Sequence, residues 1–297
     1  MKPRDLAAYL FLAFAWGLSF LVLLHVVHAF GWVGAVTLRS FVAGGTLLLF
    51  AALRRRVLCF GPRRWPFIIV GATTVAGQLI GLSYATPRIG TAMAAILVAA
   101  IPLFSMVIAH LWKLEPMRTQ GLLGLVSGTI GIVLLVGFPA VPITPDFLFG
   151  CTASLLSAFC AAFGSNYASR HLQGIGSLEV TIGAFLSGAL MTLPLLLAVP
   201  VPALPSWTDL GALVVLGSGM SALTYVTYFR LVASIGATRA ISVEFAVTVV
   251  AVLVGALALN EPIAPMQMLG AVIIVAGCAL VLGLLPFGRK PNLKPVA

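Results

Sequence analysis

Ile89-Gly90-Thr91-Ala92 and, 146 residues further on, Ile235-Gly236-Ala237-Thr238 open two stretches that run in parallel. At the same offset Glu115-Pro116 falls on Glu261-Pro262, Gly124 on Gly270 and Gly131 on Gly277. The chain is a duplication, and the duplicated unit decides the fold. Around these markers lie apolar stretches of about 20 residues, the length that crosses a bilayer as a helix. Ten can be drawn: Leu6–Leu24, Gly31–Leu53, Trp65–Thr86, Ile89–Trp112, Thr119–Phe138, Phe147–Ser169, Val180–Val199, Leu210–Phe229, Ala237–Leu259 and Met266–Pro286. Each half holds five. Five is odd, so the second copy enters the membrane upside down, the inverted-repeat plan of many secondary transporters. The expected fold is an all-α integral membrane protein, with one five-helix repeat over residues 5–138 and an inverted one over 147–286.

Composition agrees. Of 297 residues 61% are hydrophobic and 8% charged, with a mean hydropathy of +1.14. A soluble domain carries about 25% charged residues. A soluble enzyme, a nucleic-acid binder and a disordered chain are thereby excluded. The unbroken apolar runs also exclude an outer-membrane barrel, whose strands alternate. The short connections leave no room for a separate soluble domain, and the N-terminal apolar run reads as a retained span because it lacks a clean small-residue cleavage site.

Seventeen Lys and Arg stand against seven Asp and Glu. With the N-terminus cytoplasmic, six inner segments hold fifteen of the basic residues, among them Arg54, Arg55, Arg56, Arg63 and Arg64; the outer loops hold only Arg88. Retention of Lys and Arg on the cytoplasmic side then places both termini inside. The same spread removes nucleic acid as a partner, since no single basic patch forms. Cys59, Cys151, Cys160 and Cys278 are far apart, and His25 and His28 have no carboxylate or Cys beside them, so no metal site is expected. No GxxxxGK[ST] motif is present, so no nucleotide or other cofactor is expected.

Trp16-Gly17-x-Ser19-Phe20 in the first span, Arg39 in the second, Tyr84 in the third, Pro102 in the fourth and the Glu-Pro closure of each half form an ordered set. In this the chain resembles the drug/metabolite transporter superfamily, in its ten-span EamA-type branch, and within it the YddG-type exporters of aromatic and other neutral amino acids. The resemblance covers residues 5–285. It implies a bacterial inner-membrane protein, a monomer or weak homo-oligomer, with a basket of helices around a central cavity. The first four spans of each half would line the cavity, and spans five and ten would sit at the periphery as scaffolding or an oligomer contact. The halves also differ: Phe163-Gly164 replaces Trp16-Gly17, and Thr248 replaces Pro102. The second copy is not a functional duplicate of the first.

Charge inside a span is costly and usually faces a cavity or a partner. Arg39 either anchors a substrate carboxylate, which Arg can grip with two parallel bonds, or snorkels to headgroups. Glu244 is the only carboxylate well inside a span. It serves as an ammonium partner or proton carrier, or pairs with Arg239 or Arg230 near the cytoplasmic mouth. Gln78 in span three and Asn166 and Tyr167 in span six are candidate polar groups on apolar walls. Ser19 aligns with Asn166 at an offset of 147, which would set the two facing each other across the repeat axis. Trp16, Tyr84, Tyr225 and Tyr228 could supply aromatic walls, although Tyr84 and Trp65 also suit an interfacial belt. Glu115-Pro116 and Glu261-Pro262 read as helix starts, Gly77-x-x-x-Gly81 and Gly124-x-x-x-Gly128 as sites of close helix approach, and Pro102 and Pro194 as breaks that could hinge.

Two other classes compete. Gly217-Ser218-Gly219 resembles part of an intramembrane protease's serine loop, but no span carries a mid-membrane His to activate the serine. A channel would show rings of charge or filter loops, and none is visible. The sequence therefore favours a secondary transporter that exports small amphiphilic metabolites, foremost amino acids; other metabolites and cationic drugs are the alternative cargo.

Overall fold

A computed structural model describes residues 1–98, 100–114, 119–136, 144–202, 204–250, 265–281 and 284. All regular structure among them is helical. The helices are α1 (Pro3–Leu53), α2 (Trp65–Gly90, continuing to Val98), α3 (Ala100–Leu111), α4 (Thr119–Val136), α5 (Pro145–His171), α6 (Ser177–Ala198), α7 (Trp207–Ile235), α8 (Ala237–Ile241, resuming over 243–250) and α9 (Pro265–Val281). Of these, α1, α2, α5, α6 and α7 are long and apolar enough to cross a membrane. Helix starts follow local chemistry. Proline fills the first turn of α1 and α5, where no amide partner is lost. Ser206 and Asp209 cap α7 reciprocally.

Left straight, the 51 residues of α1 would span about 77 Å, more than twice the roughly 30 Å of hydrocarbon in a bilayer. Gly31 breaks it into two arms, with φ 72° and ψ 165°. Gly90 and Gly236 adopt the same backbone, at φ 79°, ψ 158° and φ 89°, ψ 161°. A side chain rarely tolerates such a corner. The two glycines that mark the repeat in sequence thus make the same turn in space. The sequence suggested a connection between Leu24 and Gly31; these residues are helical instead, because a single glycine turns the chain.

A second feature repeats. Gly71–Gly77 in α2 and Val215–Leu223 in α7 are wide, π-helical turns, and Gly71 and Gly217 are again 146 apart. Both are seated on the opposite repeat: Gly71 against Ala184, Ser187 and Gly188 of α6, Gly217 against Val42 and the Arg39 carbonyl of α1. The repeats are thereby locked together through small residues, the usual means of helix contact in lipid. Gly77 and Gly81 face α5 at Cys160, Ala153 and Ser157.

Helices α4 and α9 pack on each other. A Cβ at Gly124 would lie 2.7 Å from the Gly277 carbonyl, and one at Gly277 would lie 2.7 Å from the Gly124 carbonyl. Gly131 meets Gly270 likewise, at 2.9 Å. The outer side of the pair, with Leu123, Ile130, Met266 and Val272, is exposed and apolar. Glu115-Pro116 and Glu261-Pro262 lie outside the described residues, as do much of the fourth-to-fifth and ninth-to-tenth connections.

Among the described residues, the N-terminal segment and the connections around Arg56, Ile175 and Ser234 gather at one end. Ser234 donates to Asp5 at 3.1 Å, Arg56 pairs with Glu179 at 3.6 Å, and Ile175 lies beside Gly61. At the other end Pro202 packs on Gly31, His25 pairs with Asp209 at 2.8 Å, and Arg88 lies over the Tyr84 ring.

Candidate functional site

A cavity of about 60 Å³ lies between both arms of α1, α2, α5, α7 and residues 243–250. Trp16, Ser19, Arg39, Gln78, Tyr225 and Glu244 line it, with Phe20, Leu23, Leu79, Leu82, Val98 and Val247 as apolar wall. A smaller lobe shares Trp16, Gln78, Tyr225 and Glu244 and adds Thr74, Ser165, Tyr228 and Ile241. The volume suits a few waters.

Of the ten residues singled out from the sequence six meet here, and a seventh, Tyr228, lines the smaller lobe. Arg39 is 6% exposed, and its Nε donates to Ser221 Oγ of α7 at 3.1 Å. Glu244 is 8% exposed and, among the described residues, forms no ion pair with Arg239, Arg230 or Arg39. Among the described residues, the cavity lining therefore holds one guanidinium and one carboxyl group, not paired with each other. Tyr225 lines the same cavity as both. Its ring packs edge-on against Trp16 at 5.6 Å and Phe185 at 5.0 Å. Trp16 also contacts Tyr228, whose hydroxyl donates to Ser165 at 2.7 Å. These rings form an aromatic wall beside Arg39 and Glu244.

The other three residues lie elsewhere. Tyr84 is sandwiched between Trp32, at 5.2 Å, and Arg88, at 3.6 Å from the ring centre, at the end opposite the basic segments. Tyr167 belongs to an aromatic ladder along α5, stacked between Phe163 and His171 and edge-on to Trp112. Asn166 is fully buried, and its amide donates to Ser105 in α3, at 2.9 Å to Oγ, and to the Ala162 carbonyl. It ties α5 to α3 and does not meet Ser19. The preceding residue, Ser165, does line the smaller lobe. One residue is about 100° around a helix, enough to take its neighbour out of the cavity.

Ser157, Ser165 and Thr74, which line the cavity or its lobe, and Ser221, which reaches it through Arg39, are residues that spacing alone did not single out. Each is a hydroxyl in an apolar run, and Ser221 meets Arg39 from 182 residues away. Gly217-Ser218-Gly219 lies inside the wide turn of α7, where Ser218 hydrogen-bonds Thr46 of α1 at 2.7 Å. It is a helix contact, not a nucleophile loop.

Comparison with known proteins agrees with this architecture. The model of the EamA-like transporter family matches residues 5–137 and 148–283. Protein PecM of Dickeya dadantii is 26% identical, over all of this chain and 97% of its own length. The uncharacterized inner membrane transporter YedA of Escherichia coli K12 is 25% identical, covering 95% of this chain and 92% of its own. The uncharacterized transporter YoaV of Bacillus subtilis is also 25% identical, covering 93% and 94%. A crystal structure of a protein 20% identical superposes with a TM-score of 0.79, covering 96% of this chain and 98% of that one. At that identity the likeness speaks for the fold.

Proposed function

Because the chain belongs to the EamA-like transporter family, and is thus a membrane transporter and not an enzyme, we propose that it is a secondary carrier exporting small amphiphilic metabolites. Aromatic and other neutral amino acids are the foremost cargo, moved by alternating access through ten spans. The finer resemblance to YddG-type exporters belongs to this proposal, as does residence in a bacterial inner membrane with both termini cytoplasmic. The name of the relative YedA and the gathering of the described basic segments, around Arg4, Arg56 and Arg230, at one end support that placement. The carrier would act as a monomer or a weak homo-oligomer.

One observation carries the substrate assignment. Arg39 and Glu244 line one buried cavity without neutralising each other, against the rings of Trp16 and Tyr225. A zwitterion with an apolar side chain answers all three features. Its carboxylate would meet Arg39 in a charge-assisted fork, its ammonium would meet Glu244, and its side chain would lie on the rings.

The test is counterflow in proteoliposomes with three compounds of one shape: L-phenylalanine, 2-phenylethylamine and 3-phenylpropionate. The wild-type chain is expected to prefer phenylalanine. Arg39→Ala should lower uptake of the two carboxylates and spare the amine, while the protein stays folded in the membrane. Wild-type preference for the amine would favour the alternative, export of cationic compounds, in which Glu244 and the rings carry recognition. Unchanged phenylalanine transport in Arg39→Ala would remove the anchor.

A further inference from the structure

Ser221 joins two features that have so far stood apart, the buried Arg39 and the wide turn of α7. It is fully buried. Its hydroxyl donates to the Leu216 carbonyl, five residues back, at 2.7 Å. In a regular helix a serine reaches only three or four residues back. The extra residue of the Val215–Leu223 turn is what brings the Leu216 carbonyl within range. A hydroxyl has one hydrogen to give. With that hydrogen committed to Leu216, the Ser221 oxygen can only accept, and it accepts from Arg39 Nε at 3.1 Å.

The matching place in the first repeat shows that the turn does not need this hydroxyl. At the 146-residue offset Val75 stands where Ser221 does, inside the Gly71–Gly77 turn, and Phe185 stands where Arg39 does. Both are fully buried and apolar. The wide turn is common to both halves; the polar contact occurs only in the half that faces the buried cation. Wide turns of this kind concentrate at functional sites.

We infer that Ser221 is a positioning residue for substrate recognition. It holds Arg39 by Nε, so the guanidinium plane is set and its Nη1–Nη2 edge is left to the cavity. Among the described residues neither Nη group makes a hydrogen bond. That edge matches one carboxylate through two parallel bonds. Without Ser221 the fork would still be charged but would rotate freely, and the carboxylate would have to order it on binding. The inference rests on Arg39 being the carboxylate anchor.

The experiment compares L-phenylalanine with 2-phenylethylamine in proteoliposome counterflow, for wild type, Ser221→Ala, Ser221→Thr and Arg39→Ala. Ser221→Ala is expected to raise the half-saturation concentration for phenylalanine roughly three- to tenfold, the size of one ordinary hydrogen bond. Its maximal rate should hold, and the amine's half-saturation concentration should not rise with it. Ser221→Thr, which keeps the hydroxyl, should restore the phenylalanine value. Equal effects on both compounds, a fall in maximal rate for both, or no change for phenylalanine would each overturn the positioning role. If Arg39→Ala abolishes the preference for phenylalanine and Ser221→Ala does not, the anchor stands and the positioning role falls. If Arg39→Ala leaves the preference intact, the anchor falls and the inference falls with it. Should Ser221→Ala not be recovered folded, Ser221→Cys supplies the same comparison with a weaker acceptor, and a phenylalanine value no higher than wild type overturns the role.

Discussion

Substituting Gly277 by alanine tests the pairing of α4 with α9. The new Cβ would lie 2.7 Å from the Gly124 carbonyl oxygen, 2.9 Å from the Gly128 nitrogen and 3.0 Å from Ser127 Oγ. Ordinary contact begins near 3.4 Å, so the helices must separate by about 0.7 Å, a gap that forfeits a quarter to a half of each dispersion contact across it. Two of the three obstructing atoms are backbone, so no rotamer change relieves the clash. Overpacking of this kind costs about 1–3 kcal/mol. Gly124→Ala meets the Gly277 carbonyl at the same 2.7 Å and should cost a similar amount. Together the two should cost less than their sum, because the first has already parted the helices; neighbours of this kind couple by roughly 0.5 kcal/mol or more. The control is Gly121→Ala on the open side of α4, where nothing lies within 4 Å; there alanine should be neutral or stabilising by up to about 1 kcal/mol. The measurement is the unfolding midpoint in mixed micelles of increasing dodecyl sulfate fraction. A Gly277→Ala protein as stable as Gly121→Ala, or single effects that add fully, would refute the pairing as described.

Three further outcomes are expected. With the other three cysteines replaced, exposed Cys59 in the Arg54–Arg64 segment should resist an impermeant maleimide in intact cells, whereas a cysteine introduced at Ala203 should react; the reverse pattern inverts the orientation. Arg56→Ala should lower stability, by about 1 kcal/mol or more, because it leaves the buried Glu179 carboxylate without its cation; adding Glu179→Gln should recover part of the loss, and a double variant no better than the single would count against the pair. Glu244→Gln should keep downhill phenylalanine exchange and its pH dependence while raising the half-saturation concentrations of both phenylalanine and 2-phenylethylamine, whose ammonium groups lose the same partner. A wild-type chain that concentrates substrate under a pH gradient alone, and a Glu244→Gln chain that does not, would instead make Glu244 the coupling site.

What the sequence disclosed follows from what lipid makes costly. Arg39 and Glu244 could be found because a charge among twenty apolar residues has few structural excuses, and both lie in the cavity. Gly90 and Gly236 could be matched because their corners admit little else. The π-helical turns left no such trace, since their residues keep nearly helical backbone angles and differ only in hydrogen-bond partner. The partners of Ser221 and Asn166 were equally hidden. A hydroxyl or amide in a span satisfies itself locally or across helices at little cost either way, and no spacing rule links Asn166 to Ser105 over 61 residues.

The contact between α4 and α9 has a historical consequence. Gly124 meets Gly277 and Gly131 meets Gly270, so position i of one copy touches position j of the other and j touches i. That reciprocity is the mark of an isologous interface in a symmetric homodimer. A half-length ancestor, inserted in both orientations, would have formed this contact twice over about a true dyad. Fusion into one chain released each copy from serving both sides at once. The interface glycines kept their reciprocity, while Val75 and Ser221, and Phe185 and Arg39, were free to part company. An asymmetric ligand such as a zwitterion needs that freedom, for a true dyad would offer it the same charge at both ends.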